Sequence, residues 1–147
     1  MSFDDMLRAT NISASGLSAE RLRMEVIANN IANAHSTRTA GGGPFRRQDV
    51  VFAAALNEHL TSGTPGAQKL GGVHVVGVVD DQSELPMIYD PNHPDRDEKG
   101  FVAMPNVQVP IEMVNLITAS RAYEANLKVL QSFKQMAEQS IALIRGS

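Results

Sequence analysis

The sequence predicts an α+β protein: long N- and C-terminal helices packed as an antiparallel coiled coil, with a small β-rich region between them. Three observations carry this. Each end of the 147-residue chain holds a heptad-like apolar stripe. The middle concentrates glycine and proline, and it contains one run rich in β-branched residues, Val73-His74-Val75-Val76-Gly77-Val78-Val79. A stripe of this period, held over several heptads, is a coiled-coil seam, and so narrow a seam needs a partner surface to cover it. The chain divides accordingly into residues 1–37, 38–106 and 107–147.

The N-terminal helix is predicted from about Phe3 to Ala34. Its seam takes a positions at Phe3, Thr10, Leu17, Met24 and Ile31, and d positions at Met6, Ser13, Glu20, Ile27 and Ala34, seven of the ten apolar. Ser13, Ser15, Gly16 and Ser18 weaken its helix propensity. It should end near His35-Ser36-Thr37, before Gly41-Gly42-Gly43-Pro44. In the middle, Phe45–Phe52 and Val73–Val79 read as strands and Thr61–Gly72 as a loop between them. Leu85–Tyr89 and Phe101–Met104 read as a hairpin, joined by the turn chemistry of residues 90–100. So small a β region is stable only against the helices.

The C-terminal helix is expected from Pro110, which suits a first turn because it has no N–H to leave unpaired, and Glu112 favours the dipole there. It runs without Gly or Pro to Arg145, with Gly146 as the stop. Its d positions are Val109, Leu116, Tyr123, Leu130, Ala137 and Ile144; its a positions are Met113, Ser120, Leu127, Lys134 and Ile141. Nine of these eleven are apolar, where a 43% hydrophobic composition would place about five. A helix this long, roughly 54 Å, outreaches the β region, and the N-terminal helix is the first candidate to meet it.

Composition excludes several functions. The net charge of −3 and pI near 5.8 do not suit a nucleic-acid binder, which needs a basic face. Arg46-Arg47 reads as a solvated strand end. With no cysteine, disulfides, zinc–thiolate sites and thiol nucleophiles are excluded. The acidic start Met1-Ser2-Phe3-Asp4-Asp5-Met6 is not a secretory signal, and the longest apolar run, Val50–Leu56, is too short to span a bilayer. Taken alone, these features read as cytoplasmic.

The sequence carries no G-x-S-x-G, no phosphate-binding glycine loop and no H-E-x-x-H, so no catalytic, cofactor-binding or small-molecule site is expected. No two of His35, His59, His74 and His93 share a helix face as a metal pair. Read as a calcium loop from Asp90, the template fails because Pro94 and Asp95 stand at positions 5 and 6. Asp80, Asp81 and Glu84 read as a solvated loop. Asn29, Asn30 and Asn33 are unusual near a helix end. They mark either fraying or hydrogen bonding to a second helical neighbour.

Ser15-Gly16-Leu17-Ser18-Ala19-Glu20-Arg21-Leu22-Arg23-Met24-Glu25-Val26-Ile27-Ala28-Asn29-Asn30-Ile31-Ala32-Asn33-Ala34 resembles the N-terminal signature of the flagellar axial proteins of rod and hook. Met113-Val114-Asn115-Leu116-Ile117-Thr118-Ala119-Ser120-Arg121-Ala122-Tyr123-Glu124-Ala125-Asn126 resembles the C-terminal signature of the same superfamily. The short chain, Phe45–Phe52 and the tract from Tyr89 to Val102 resemble a proximal-rod member. The resemblance implies a structural subunit of the bacterial flagellar basal-body rod. Its partners would be copies of itself, other flagellar rod proteins and the flagellar type III export apparatus. It would reside in the periplasmic rod, exported without a cleaved signal peptide, with terminal helices that order on assembly. The seam residues Leu17, Met24, Ile27, Ile31, Leu116, Tyr123, Leu127, Leu130 and Ile141, together with Asn29, Asn30 and Asn33, are then the expected assembly interface. Two rival readings are a cytoplasmic coiled-coil adaptor or export chaperone, and a metal-dependent enzyme using His93, Asp95 and Asp97.

Overall fold

The computed structural model describes residues 3–57 and 69–145, in the order α1 (Phe3–Ala32), β1 (Gln48–Asn57), β2 (Lys69–Asp80), β3 (Met87–Tyr89), β4 (Phe101–Ala103) and α2 (Val109–Arg145). The α+β layout is as predicted, with two terminal helices and two separate two-stranded sheets, β1-β2 and β3-β4. Residues 61–68 of the expected loop, and the side chains of Phe3, Met6 and Ile144, lie outside the described residues.

Several boundaries move. α1 ends at Ala32 because the chain tightens there: the Ala34 N–H donates to the Ile31 carbonyl and the Ser36 N–H to Asn33. β1 starts three residues later than Phe45 and continues past Phe52 to Asn57. β2 begins at Lys69, so Gly71 and Gly72 lie inside the strand and not in the loop. Gly72 has φ +103, and a Cβ there would sit 2.4 Å from Ser15 Oγ. That hydroxyl accepts from the Val73 N–H at 3.1 Å and donates to the Ile12 carbonyl at 2.7 Å. Gly72→Ala should therefore cost about 1–3 kcal/mol, less in a Ser15→Ala background. Urea denaturation of the single and double variants measures both.

The predicted hairpin forms, but each strand is only three residues long, in the antiparallel register Met87↔Ala103, Ile88↔Val102, Tyr89↔Phe101. The Asp97 carboxylate accepts the Lys99 and Phe101 N–H groups, and Thr37 Oγ1 donates to Asp95 at 2.8 Å. His93 Nδ1 accepts from the Asp95 N–H. These three side chains build and anchor the loop, and among the described residues no group of His, Asp and Glu converges as a metal site requires. No helix of the described residues is long and apolar enough to cross a membrane.

The chain forms two compact units. The first draws on the described residues among Met1–Leu22, Phe52–Val76 and Ala119–Ser147. Its buried side chains are small: Ser13, Ala19 and Ala119. The second comprises Arg23–Val51 and Gly77–Thr118. Val26, Ile27, Ala34, Val50 and Val102 form its apolar core, with Asn30 and Glu112 fully buried among them.

Candidate assembly interface

In the second unit the core is organised by a polar cluster. Asn30 is 0% exposed and Glu112 1%. The Asn30 amide donates to the Gln48 carbonyl at 2.8 Å and to Glu112 Oε2 at 3.0 Å, while its oxygen accepts the Gln48 N–H at 2.9 Å. Arg47 Nε donates to Glu112 Oε1 at 2.9 Å. One amide and one carboxylate thus fasten α1, β1 and α2, and each buried polar group meets its partner, as an apolar surrounding demands.

Arg47 is the hub of this charge cluster. Its Nη1 lies 3.3 Å from Asp49 and 3.7 Å from Asp81. Burial disfavours its charge, but the Glu112 hydrogen bond and charge, with Asp49, outweigh burial and raise its pKa. The Asp81 carboxyl is held below its usual range, first by the Ser83 N–H and hydroxyl and then by Arg47 and Arg46. Arg46 donates to the Asp81 and Ser83 carbonyls. The expected solvated strand end and solvated acidic loop are therefore one interlocked structure. A cavity of about 220 Å³ beside it, lined by Arg47, Asp81, Asn106 and Glu112 among others, is smaller than ligand pockets of about 300–1,000 Å³.

Asn29 and Asn33 do something different. Asn33 Nδ2 donates to the Asn29 carbonyl and side-chain oxygen, both at 2.9 Å, and its own oxygen accepts from Ser36. They finish the helix end locally, while Asn29 reaches Gln48 at 3.5 Å.

The helix faces also sort themselves. Along α2 the regularly sheltered residues are Glu112, Leu116, Ala119, Tyr123, Asn126, Leu130, Phe133 and Ala137, alternating by four and three. Along α1 and the turn after it they are Ser13, Gly16, Glu20, Arg23, Ile27, Asn30 and Ala34. Of the predicted d positions, Ser13, Glu20, Ile27, Ala34, Leu116, Tyr123, Leu130 and Ala137 are in these stripes. The other column is one residue earlier than the predicted a positions in both helices, and apart from Phe133 it is small or polar. Gly16 belongs to it, and a Cβ there would lie 3.0 Å from Asn126 Nδ2. Leu17, Met24 and Ile31 consequently sit half-buried beside the seam, as do Leu116, Tyr123 and Leu130 within it. Leu127 and Ile141 are turned outward, 40% and 52% exposed.

An exposed apolar edge of this kind also includes residues outside the expected assembly interface, among them Met113, a predicted a position of the seam. Ile111, Met113, Val114 and Ile117 are exposed at the start of α2, and Val129, Met136 and Leu143 near its end. The seven-residue spacing of the last three was the available signal.

Two family profiles match the chain. "Flagella basal body rod protein" covers residues 11–38, and "Flagellar basal body rod FlgEFG protein C-terminal" covers residues 98–143. A flagellar basal-body rod protein FlgC of Borreliella burgdorferi is 43% identical, over 96% of this chain and 99% of its own length. FlgC proteins of Yersinia enterocolitica and Escherichia coli O157:H7 are 41% and 40% identical, each over 94% of this chain and 97% of their own lengths.

Proposed function

This chain belongs to the FlgC family of flagellar basal-body rod proteins, a structural subunit of the rod and not an enzyme, and we propose that it builds the rod by packing its terminal helices against those of neighbouring subunits in a helical tube that transmits torque. One observation carries the proposal. In the first unit no described apolar side chain larger than alanine is buried, while Leu127, Val129, Met136, Ile141 and Leu143 stand exposed on α2. Burying a Leu or Ile contributes about 1.5–3 kcal/mol, and fixing each residue of a helix costs about 1–2 kcal/mol. Full burial of alanine and serine with half-burial of Leu17, Tyr123, Leu130 and Phe133 returns less than that cost, so these helix segments gain stability from neighbours, and folding and assembly become one event.

The antiparallel coiled-coil reading of the two helices has support of its own. Asn30 meets Glu112 within the second unit, and Gly16 approaches Asn126 within the first. These pairs step fourteen residues forward on α1 and fourteen back on α2, two heptads each way. Leu17, Met24 and Ile31 flank that pairing on α1, and with Leu127 and Ile141 they meet neighbouring subunits. Export through the flagellar type III apparatus to the periplasmic rod completes the proposal.

Circular dichroism and light scattering on the purified chain test it. A monomer is expected, with helicity well below that of Phe3–Ala32 and Val109–Arg145 fully formed. A strongly helical dimer at micromolar concentration would favour a cytoplasmic adaptor or chaperone instead.

A further inference from the structure

We propose that the β1–β2 ribbon is a strap whose closure at Ser15 and Gly72 orders the stretch of α1 from Asn11 to Ala19, so that the ribbon, and not the local sequence, decides when this stretch is helical. In the rod-subunit reading, on which only this last step rests, the strap then also decides when the stretch can be offered to a neighbouring subunit. Both sides of the latch belong to the first unit.

Five of the eight residues from Asn11 to Ser18 are Asn, Ser or Gly, which favour turns and coil over helix. The stretch is helical all the same. A serine inside a helix commonly turns its hydroxyl back to a carbonyl of the preceding turn, which does not strengthen the helix. Ser15 does this, donating to the Ile12 carbonyl at 2.7 Å, and its oxygen is thereby held as the acceptor of the Val73 N–H at 3.1 Å. A main-chain donor of β2 is thus satisfied by a side chain of α1. Gly72 makes the approach possible. Its φ is +103, and a Cβ there would lie 2.4 Å from Ser15 Oγ and 3.3 Å from Ile12 Cα, so the strand backbone rests directly on the helix.

The latch has a line of its own on α1. Ile12, Ser15 and Ala19, spaced by three and four, lie about 100° round the helix from Ser13, Gly16 and Glu20, the stripe in which Gly16 approaches Asn126. Ala19 is 4% exposed. This part of α1 is therefore sheltered along two lines, and the second runs under Gly72 and Val73. The contact is narrow, for Ile12 and Val73 both remain exposed. It rests on a hydrogen bond and a close approach, not on burial of large side chains, so it can open without exposing a core.

Hydrogen exchange followed by mass spectrometry on the full-length chain tests the strap, with light scattering on the same sample. Amides of residues 9–22 and 72–76 should be protected together. Gly72→Val lies far from α1 in sequence, yet it should speed exchange over 9–22 at least tenfold and leave 101–117 in the second unit unchanged. Ser15→Ala separates the strap from propensity by sign. Alanine is the better helix former, so a helix held by its own sequence would exchange more slowly, whereas loss of the Val73 acceptor should make exchange faster. The double variant should exchange no faster than Gly72→Val alone. Slower exchange in Ser15→Ala, unchanged exchange over 9–22 in Gly72→Val, or no protection of 9–22 in the unmodified chain would each overturn the strap while leaving the rod-subunit reading intact. A strongly helical dimer in the scattering measurement would overturn that reading and leave the strap standing. In purified basal bodies Gly72→Val should reduce incorporation at least tenfold, and undiminished incorporation would overturn the assembly step.

Discussion

Glu112→Ala should cost this chain about 3–5 kcal/mol of folding stability, the loss typical of breaking one side of a buried ion pair. Glu112 is fully buried and accepts from Arg47 Nε at 2.9 Å and from Asn30 Nδ2 at 3.0 Å. Alanine would remove the acceptor of Arg47 Nε and one of the two acceptors of the fully buried Asn30 amide, leaving Asn30 the Gln48 carbonyl and Arg47 its contacts with Asp49 and Asp81. Against a total stability of about 5–15 kcal/mol for an ordinary domain, that is enough to unfold much of the second unit at physiological temperature. Glu112→Gln should fall between, since its one side-chain oxygen can still accept from Asn30 while its amide nitrogen, a donor, no longer accepts from Arg47 Nε and the charge opposite Arg47 is lost. Urea denaturation followed by circular dichroism separates the three proteins. A Glu112→Ala midpoint indistinguishable from wild type would show that the cluster contributes nothing to the fold.

Leu127→Asp should do the reverse, leaving the solitary chain as stable as the unmodified one and abolishing assembly. Leu127 is 40% exposed, so the substitution should change the stability of the isolated chain by about 0.5 kcal/mol or less. In the polymer the same position is expected to be covered, and a carboxylate without a partner there is strongly unfavourable. Synthesis and export should continue while rod growth stops, so that cells make the protein and do not swim. Soft-agar motility, with immunodetection of the exported chain, checks both halves. Normal swimming by this variant would make the outward face of α2 irrelevant to function.

The contrast between these two sites shows what could be read from the residues alone. The d column of both helices was legible because Ile27, Leu116, Tyr123 and Leu130 repeat at the period of a seam. The column beside it was not, because its occupants include Gly16, Asn30, Glu112 and Asn126, and a search for apolar periodicity steps over them to Leu17, Ile31, Met113 and Leu127. Glu112 looked like a helix-dipole residue and Arg47 like a solvated strand end. They lie sixty-five positions apart, and no local pattern announces a pair that forms only when β1 and α2 come together. The strand limits moved for a related reason. Gly72 is a turn signal in sequence, but here it serves close approach to Ser15, a requirement set by the fold and not by its neighbours in the chain.

The buried polar cluster has a further consequence. Apolar side chains tolerate a slide of one helix along another, whereas Asn30 and Glu112 find their hydrogen-bond partners in a single alignment. A helix pair that formed out of step would leave both groups buried and unsatisfied, so the cluster selects one way of closing the second unit among the several that the apolar stripe alone would accept.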